Sequence, residues 1–126
     1  MGMKILVVDD EPDVVTYLAT VLKDNGYEAL EASNGEKALK EVELNRPDLI
    51  TLDITMPEMS GVKAYRKLKE DDRFRRIPVV VVTGVAREFK QFISSRSQVP
   101  PPDGYLEKPV TPEALLAEVR RLLPEG

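Results

Sequence analysis

Asp9, Asp10 and Asp53 are the residues with the most chemistry to offer in this chain, and Thr83 and Lys108 join them at matching positions. Asp9-Asp10-Glu11-Pro12 follows the β-branched run Lys4-Ile5-Leu6-Val7-Val8. Asp53 closes the mostly apolar run at 48–52 and opens Ile54-Thr55-Met56-Pro57-Glu58-Met59-Ser60-Gly61, which cannot continue as a strand. Pro57 has no amide hydrogen and turns Met56 away from helical angles, while Gly61 tolerates backbone angles that other residues resist. Each residue alone has an ordinary explanation. Asp53 can satisfy loop amides, Asp9-Asp10-Glu11 can complement a helix dipole, Thr83 can bond its own loop, and Lys108 can be a surface cation. Converging carboxylates raise one another's pKa unless a cation intervenes. The chain has neither cysteine nor histidine, which excludes thiolate catalysis, an imidazole base and nitrogen- or sulfur-ligated metals. A metal would have to be held by oxygen, and Mg²⁺ suits a site with few carboxylates and several retained waters.

The elements that must position these groups alternate along the chain. Lys4–Val8 reads as a strand buried on both faces. Pro12 fits the first turn of a helix carrying Val14, Leu18, Val21 and Leu22, stopped by Asn25-Gly26. Residues 27–32 form a weaker second strand, and Ser33-Asn34-Gly35-Glu36 has the spacing of a capping box for a helix with Ala38, Leu39 and Val42. After the Asp53 strand, a third helix is expected over about 61–69, with Val62, Tyr65 and Leu68 on one side, then a charged connection over 70–76. Residues 77–82 form the next buried strand, ending in Thr83-Gly84. Val85, Phe89, Phe92 and Ile93 suggest a fourth helix, and 94–102 reads as loop or polyproline. A short strand over 105–107 leads to Lys108-Pro109, and Thr111-Pro112-Glu113 caps a last helix striped by Leu115, Leu116, Val119, Leu122 and Leu123.

This alternation predicts an α/β fold, a flavodoxin-like, doubly wound, five-stranded parallel sheet of order 2-1-3-4-5 with helices on both faces. All strand C-termini of such a sheet lie along one edge, which would gather Asp9, Asp10, Asp53, Thr83 and Lys108. At 126 residues the chain suits one domain, 1–126, with a core over about 4–123 and no effector domain. A net charge of -4 gives no general attraction to nucleic acid or anionic membrane. Arg73, Arg75 and Arg76 read as a solvated connection. No apolar run reaches the length of a membrane span and no signal-peptide core is present, so a cytoplasmic location is expected.

The set Val7-Val8-Asp9-Asp10-Glu11, Asp53-Ile54-Thr55-Met56-Pro57 with Gly61, Val82-Thr83-Gly84 and Tyr105-Leu106-Glu107-Lys108-Pro109 resembles the response-regulator receiver domain of two-component signalling, over nearly the whole chain. The resemblance implies that Asp53 is the phosphoacceptor, attacking a phosphoryl group carried on a histidine of a partner kinase or phosphotransfer protein. It implies Mg²⁺ held by Asp10, Asp53 and the carbonyl of Thr55, with Asp9 holding metal-bound water. Thr83 and Lys108 would contact the phosphoryl oxygens, Lys108-Pro109 would be cis, and Thr83 with Tyr105 would switch the output surface, whose partner the sequence does not name. A phosphorylation-dependent dimer is a further expectation.

This sequence departs from the family pattern at Thr55 and over 91–103, and with no effector after residue 123 it is expected to be either a stand-alone receiver or a piece of a larger regulator. Two other readings compete. An aspartate-nucleophile phosphohydrolase would want a second Asp where Thr55 stands, to serve as acid and base. An interaction module that needs no phosphorylation would share the fold, because fold alone does not determine function.

Overall fold

A computed structural model describes residues 2–84 and 101–123. Five strands, β1 (Lys4–Val8), β2 (Glu28–Ala32), β3 (Leu49–Asp53), β4 (Val79–Thr83) and β5 (Gly104–Glu107), form one parallel sheet of order β2-β1-β3-β4-β5. The described helices are α1 (Pro12–Asp24), α2 (Gly35–Asn45), α3 (Ser60–Glu70) and α4 (Pro112–Leu122). The helix expected around Val85, Phe89, Phe92 and Ile93 and most of the expected loop over 94–102 lie outside the described residues.

The continuous β-branched runs make sense once both faces are covered. Leu6 and Val8 of β1, Ile50 and Leu52 of β3, and Val79 and Val81 of β4 pack with Ala38 and Val42 of α2 and Tyr65 and Leu68 of α3. The alternate residues Ile5, Val7, Leu49, Val80 and Val82 pack with Val15, Leu18 and Leu22 of α1 and Leu115 and Val119 of α4. Alternation across a pleated strand thus builds two cores from one sheet. Each fully buried aliphatic side chain contributes about 1.5–3 kcal/mol, so β1, β3 and β4 form the rigid centre. β2 lies at the sheet's edge and leaves Glu28 and Glu31 exposed, which accounts for its weaker apolar pattern.

Helix ends follow local chemistry, with one shift. The cap of α2 is Asn34, whose Oδ1 accepts from the Lys37 amide at 2.8 Å, and not Ser33 as the capping-box spacing predicts. Ser33 Oγ instead accepts from Lys37 Nζ at 3.2 Å. Asn34 carries the extended backbone of a cap, which leaves Glu36 one position short of the capping-box place. Thr111 caps α4 as expected, accepting from the Ala114 amide at 3.1 Å. Gly26 supplies the left-handed turn after α1.

Lys69, near the end of α3, is buried and donates to the carbonyls of Arg75 and Ile77 at 3.1 and 3.0 Å. It also lies 3.5 Å from Asp103, whose carboxylate accepts from the Val79 amide at 2.8 Å. The end of α3 and the starts of β4 and β5 are therefore tied together at the edge remote from the acidic residues.

Candidate functional site

The parallel sheet delivers its chemistry to one edge. Asp9 and Asp10 follow β1, Asp53 ends β3, Thr83 ends β4, and Lys108 follows β5. Backbone pairing continues past the strands and sets their levels. The Asp9 amide donates to Ala32 O at 3.2 Å, the Ile54 amide to Val82 O at 3.1 Å, and the Lys108 amide to Thr83 O at 2.9 Å. Asp9, Asp53 and Thr83 are buried, whereas Asp10 is exposed and lines a groove with Asn34, Met56, Pro57 and Lys63.

Past Asp53 the chain turns through Pro57–Met59, where Glu58 adopts left-handed angles, and enters α3. Gly61 needs no unusual backbone angle. Its role is close approach, because a Cβ there would collide with the carbonyl oxygen of Asp53. The helix can therefore press against the end of β3, which differs from the conformational reason the sequence suggests.

Side-chain geometry separates the two oxygens of Asp53. Oδ1 accepts from the amide and the hydroxyl of Thr55, at 2.8 and 2.6 Å. Oδ2 accepts from Lys108 Nζ at 3.3 Å. The same ammonium lies 3.0 Å from Asp9 Oδ2 and donates to Glu11 Oε1 at 3.2 Å. Asp9 Oδ1 accepts from the Glu11 amide at 2.9 Å, whereas Oδ2 is close enough to Lys108 for an ion pair but among the described residues receives no well-directed hydrogen bond. Lys108-Pro109 is cis.

Burial raises the Asp9 carboxyl above its ordinary pKa, and the charge of Asp53 adds to the rise against the Glu11 amide and Lys108. Burial alone would lower the Lys108 pKa. The carboxylates of Asp9, Asp53 and Glu11 outweigh it and hold the ammonium above the usual lysine value, so it stays charged at neutral pH.

Asp9, Asp10 and Asp53 each offer a carboxylate oxygen, and these oxygens lie within 4.8 Å of one another. Among the described residues, the Lys108 ammonium lies within ion-pair distance of the Asp9, Glu11 and Asp53 carboxylates, and Asp10 adds a fourth carboxylate beside Asp9 and Asp53. An all-oxygen donor set with excess negative charge and an under-satisfied buried oxygen at Asp9 fits a hard divalent cation such as Mg²⁺.

The structure brings together Asp9, Asp10, Asp53 and Lys108, with Thr83 on the strand between β3 and β5. Thr55 is at the same edge, where its amide and hydroxyl contact Asp53. Tyr105 stands apart, half-buried on β5 opposite Val81, and its amide donates to Glu118 Oε2 at 3.2 Å. Sequence reasoning missed the pairing of Glu11 with Lys108. Its only sequence signal is a third acid after Asp9-Asp10, which reads equally well as a helix-start charge. Among the described residues no helix is long and apolar enough to cross a membrane.

Comparison with known proteins agrees with this geometry. The chain is 36% identical over 123 residues to the alkaline phosphatase synthesis transcriptional regulatory protein PhoP of Bacillus subtilis, covering 98% of this chain and 49% of PhoP. It thus spans about half the length of that relative. It is 33% identical over 120 residues to the protein PilH of Pseudomonas aeruginosa, covering 95% of this chain and 97% of PilH. The chemotaxis response regulator CheY4 of Vibrio cholerae superposes with a TM-score of 0.84 at 30% identity, covering 98% of this chain and all of that one. Residues 5–120 match the response regulator receiver domain. The sheet order, the acidic pocket and this match agree, and the chain belongs to the response regulator receiver domain family, whose members are signalling domains rather than enzymes.

Proposed function

We propose that this chain, as a single receiver unit, accepts a phosphoryl group on Asp53 from a phosphohistidine of a partner kinase or phosphotransfer protein. The observation that carries the reading is the division of labour at Asp53, with Oδ1 held by Thr55 and Oδ2 turned to Lys108 inside an acidic pocket. The oriented carboxylate attacks phosphorus, an O–P bond forms, the P–N bond to the donor imidazole breaks, and the imidazole leaves with that electron pair. Phosphoryl transfer asks the protein for positioning and charge neutralisation, which this edge supplies. Lys108 remains cationic and can meet the phosphoryl oxygens with the hydroxyl of Thr83. Asp10, Asp53 and the Thr55 carbonyl would hold Mg²⁺, with Asp9 acting through a metal-bound water. When bound, the ion supplies further neutralisation of the phosphoryl charge.

Output follows from the added charge and acceptors of the aspartyl phosphate. Thr83 is drawn toward the phosphoryl group, Tyr105 turns inward, and the surface around β5 changes for a partner protein, which can be a second copy of this chain. A cytoplasmic setting, without nucleic-acid or membrane binding by this unit, belongs to the same reading. The phosphohydrolase alternative is disfavoured because Thr55, at the position of its acid–base Asp, holds Asp53 by hydrogen bonds.

Incubation with Mg²⁺ and acetyl phosphate followed by intact-mass measurement tests the proposal. Wild type should gain one phosphoryl group and Asp53→Asn none. Equal labelling of the variant would overturn the assignment.

A further inference from the structure

Glu11 makes a contact that neither its helix nor the cation pocket requires. It occupies the cap position of α1, yet its side chain caps no amide of that helix. Its carboxylate instead accepts from Lys108 Nζ, 97 residues away, at 3.2 Å. Lys108 directs its other hydrogen bond within the pocket to Asp53 and pairs by proximity with Asp9.

These partners differ in freedom. The side chains of Asp9 and Asp53 are 1% exposed and each is anchored by a backbone amide, from Glu11 and Thr55 respectively. The Glu11 side chain is 63% exposed, and among the described residues its carboxylate accepts no other hydrogen bond. It can rotate into water at little cost, because an exposed pair is worth little. Asp9 and Asp53 cannot leave without a buried rearrangement.

We propose that Glu11 is a resident stand-in for the incoming phosphoryl oxygens. It occupies a donor of Lys108 until an anion at Asp53 displaces it, and so tempers phosphorylation. This rests on the reading of Asp53 as acceptor and adds the regulation of that site. An ammonium has three N–H donors, and an arriving dianion needs at least one of them. The partner it displaces is the exposed, singly bonded one. Glu11 is then a positioning residue, acting through Lys108.

The experiment separates contact from diffuse charge. Glu11→Gln removes the charge, whereas Glu11→Asp keeps it but shortens the side chain so that it no longer reaches Lys108. Labelling rates with acetyl phosphate are measured by intact mass in wild type and both variants. The ¹⁵N chemical shift of the Lys108 ammonium is read separately, without metal or phosphodonor. Both variants should label roughly two- to fivefold faster than wild type, and both should move the Lys108 resonance. Glu11→Asp behaving as wild type while Glu11→Gln labels faster would show a field effect and overturn the proposal. Slower labelling of both would do the same, by making Glu11 a helper of Lys108. Equal rates in all three proteins overturn the stand-in alone. Absence of label from all three overturns the acceptor reading, and the stand-in with it.

Discussion

Thr55 folds back onto Asp53, its amide at 2.8 Å and its hydroxyl at 2.6 Å both donating to Oδ1, so that only Oδ2 faces Lys108. The residue two places after Asp53 therefore helps set which of its carboxylate oxygens is available. Thr55→Val keeps the amide bond and removes the hydroxyl. A hydrogen bond to a charged group is worth about 1.5–3 kcal/mol when buried, and Thr55 is exposed, so urea unfolding should show a loss of roughly 1 kcal/mol. Thr55→Ser, which retains the hydroxyl, should lose less.

Asp10 is the exposed member of the acidic cluster, so changing it perturbs the fold least. Asp10→Asn removes one hard oxygen charge from the pocket. Isothermal titration should show Mg²⁺ affinity falling by roughly tenfold or more, with the unfolding midpoint almost unchanged. Unaltered affinity would place the cation elsewhere.

Thr51 lies in the middle of β3, opposite Val7 and Val80, and among the described residues its buried hydroxyl oxygen has no hydrogen-bond partner. Burying an unpaired hydroxyl costs on the order of 1–3 kcal/mol. Thr51→Val places a methyl where the hydroxyl stands and should stabilise the protein by about 1 kcal/mol. Denaturant unfolding at neutral pH decides this, and a loss of stability would mean that the hydroxyl is satisfied.

Lys69 carries a stability–pH signature of its own. Burial lowers its pKa below 10.5, partly countered by Asp103. Between that lowered value and 10.5 the unfolded chain binds more protons than the folded one, so stability rises with pH in that window. Below the window the buried ammonium imposes its full desolvation cost. Lys69→Met leaves the Arg75 and Ile77 carbonyls without this donor and should cost about 1–3 kcal/mol at pH 7. The deficit should widen as pH rises toward 10.5, because the variant lacks the wild-type gain. A deficit independent of pH across that window would contradict the lowered pKa.

The sheet, its order, and the edge at which Asp9, Asp10, Asp53, Thr83 and Lys108 meet are legible in the residue pattern alone. Those features depend on strand runs such as Lys4–Val8 and Val79–Thr83, and on the rule that parallel strands end on one side. They are properties of backbone pattern, and pattern is written locally. Tertiary structure decided the finer matters. It made Asp9 buried and Asp10 exposed, although the two are adjacent and chemically alike. It moved the α2 cap from Ser33 to Asn34 and gave Gly61 the task of close approach to Asp53. It turned Glu11 to Lys108 and brought Lys69 to Asp103. Such contacts join residues from distant parts of the chain. They depend on rotamers selected by packing on every side, and that selection exists only once the two cores have closed around the sheet.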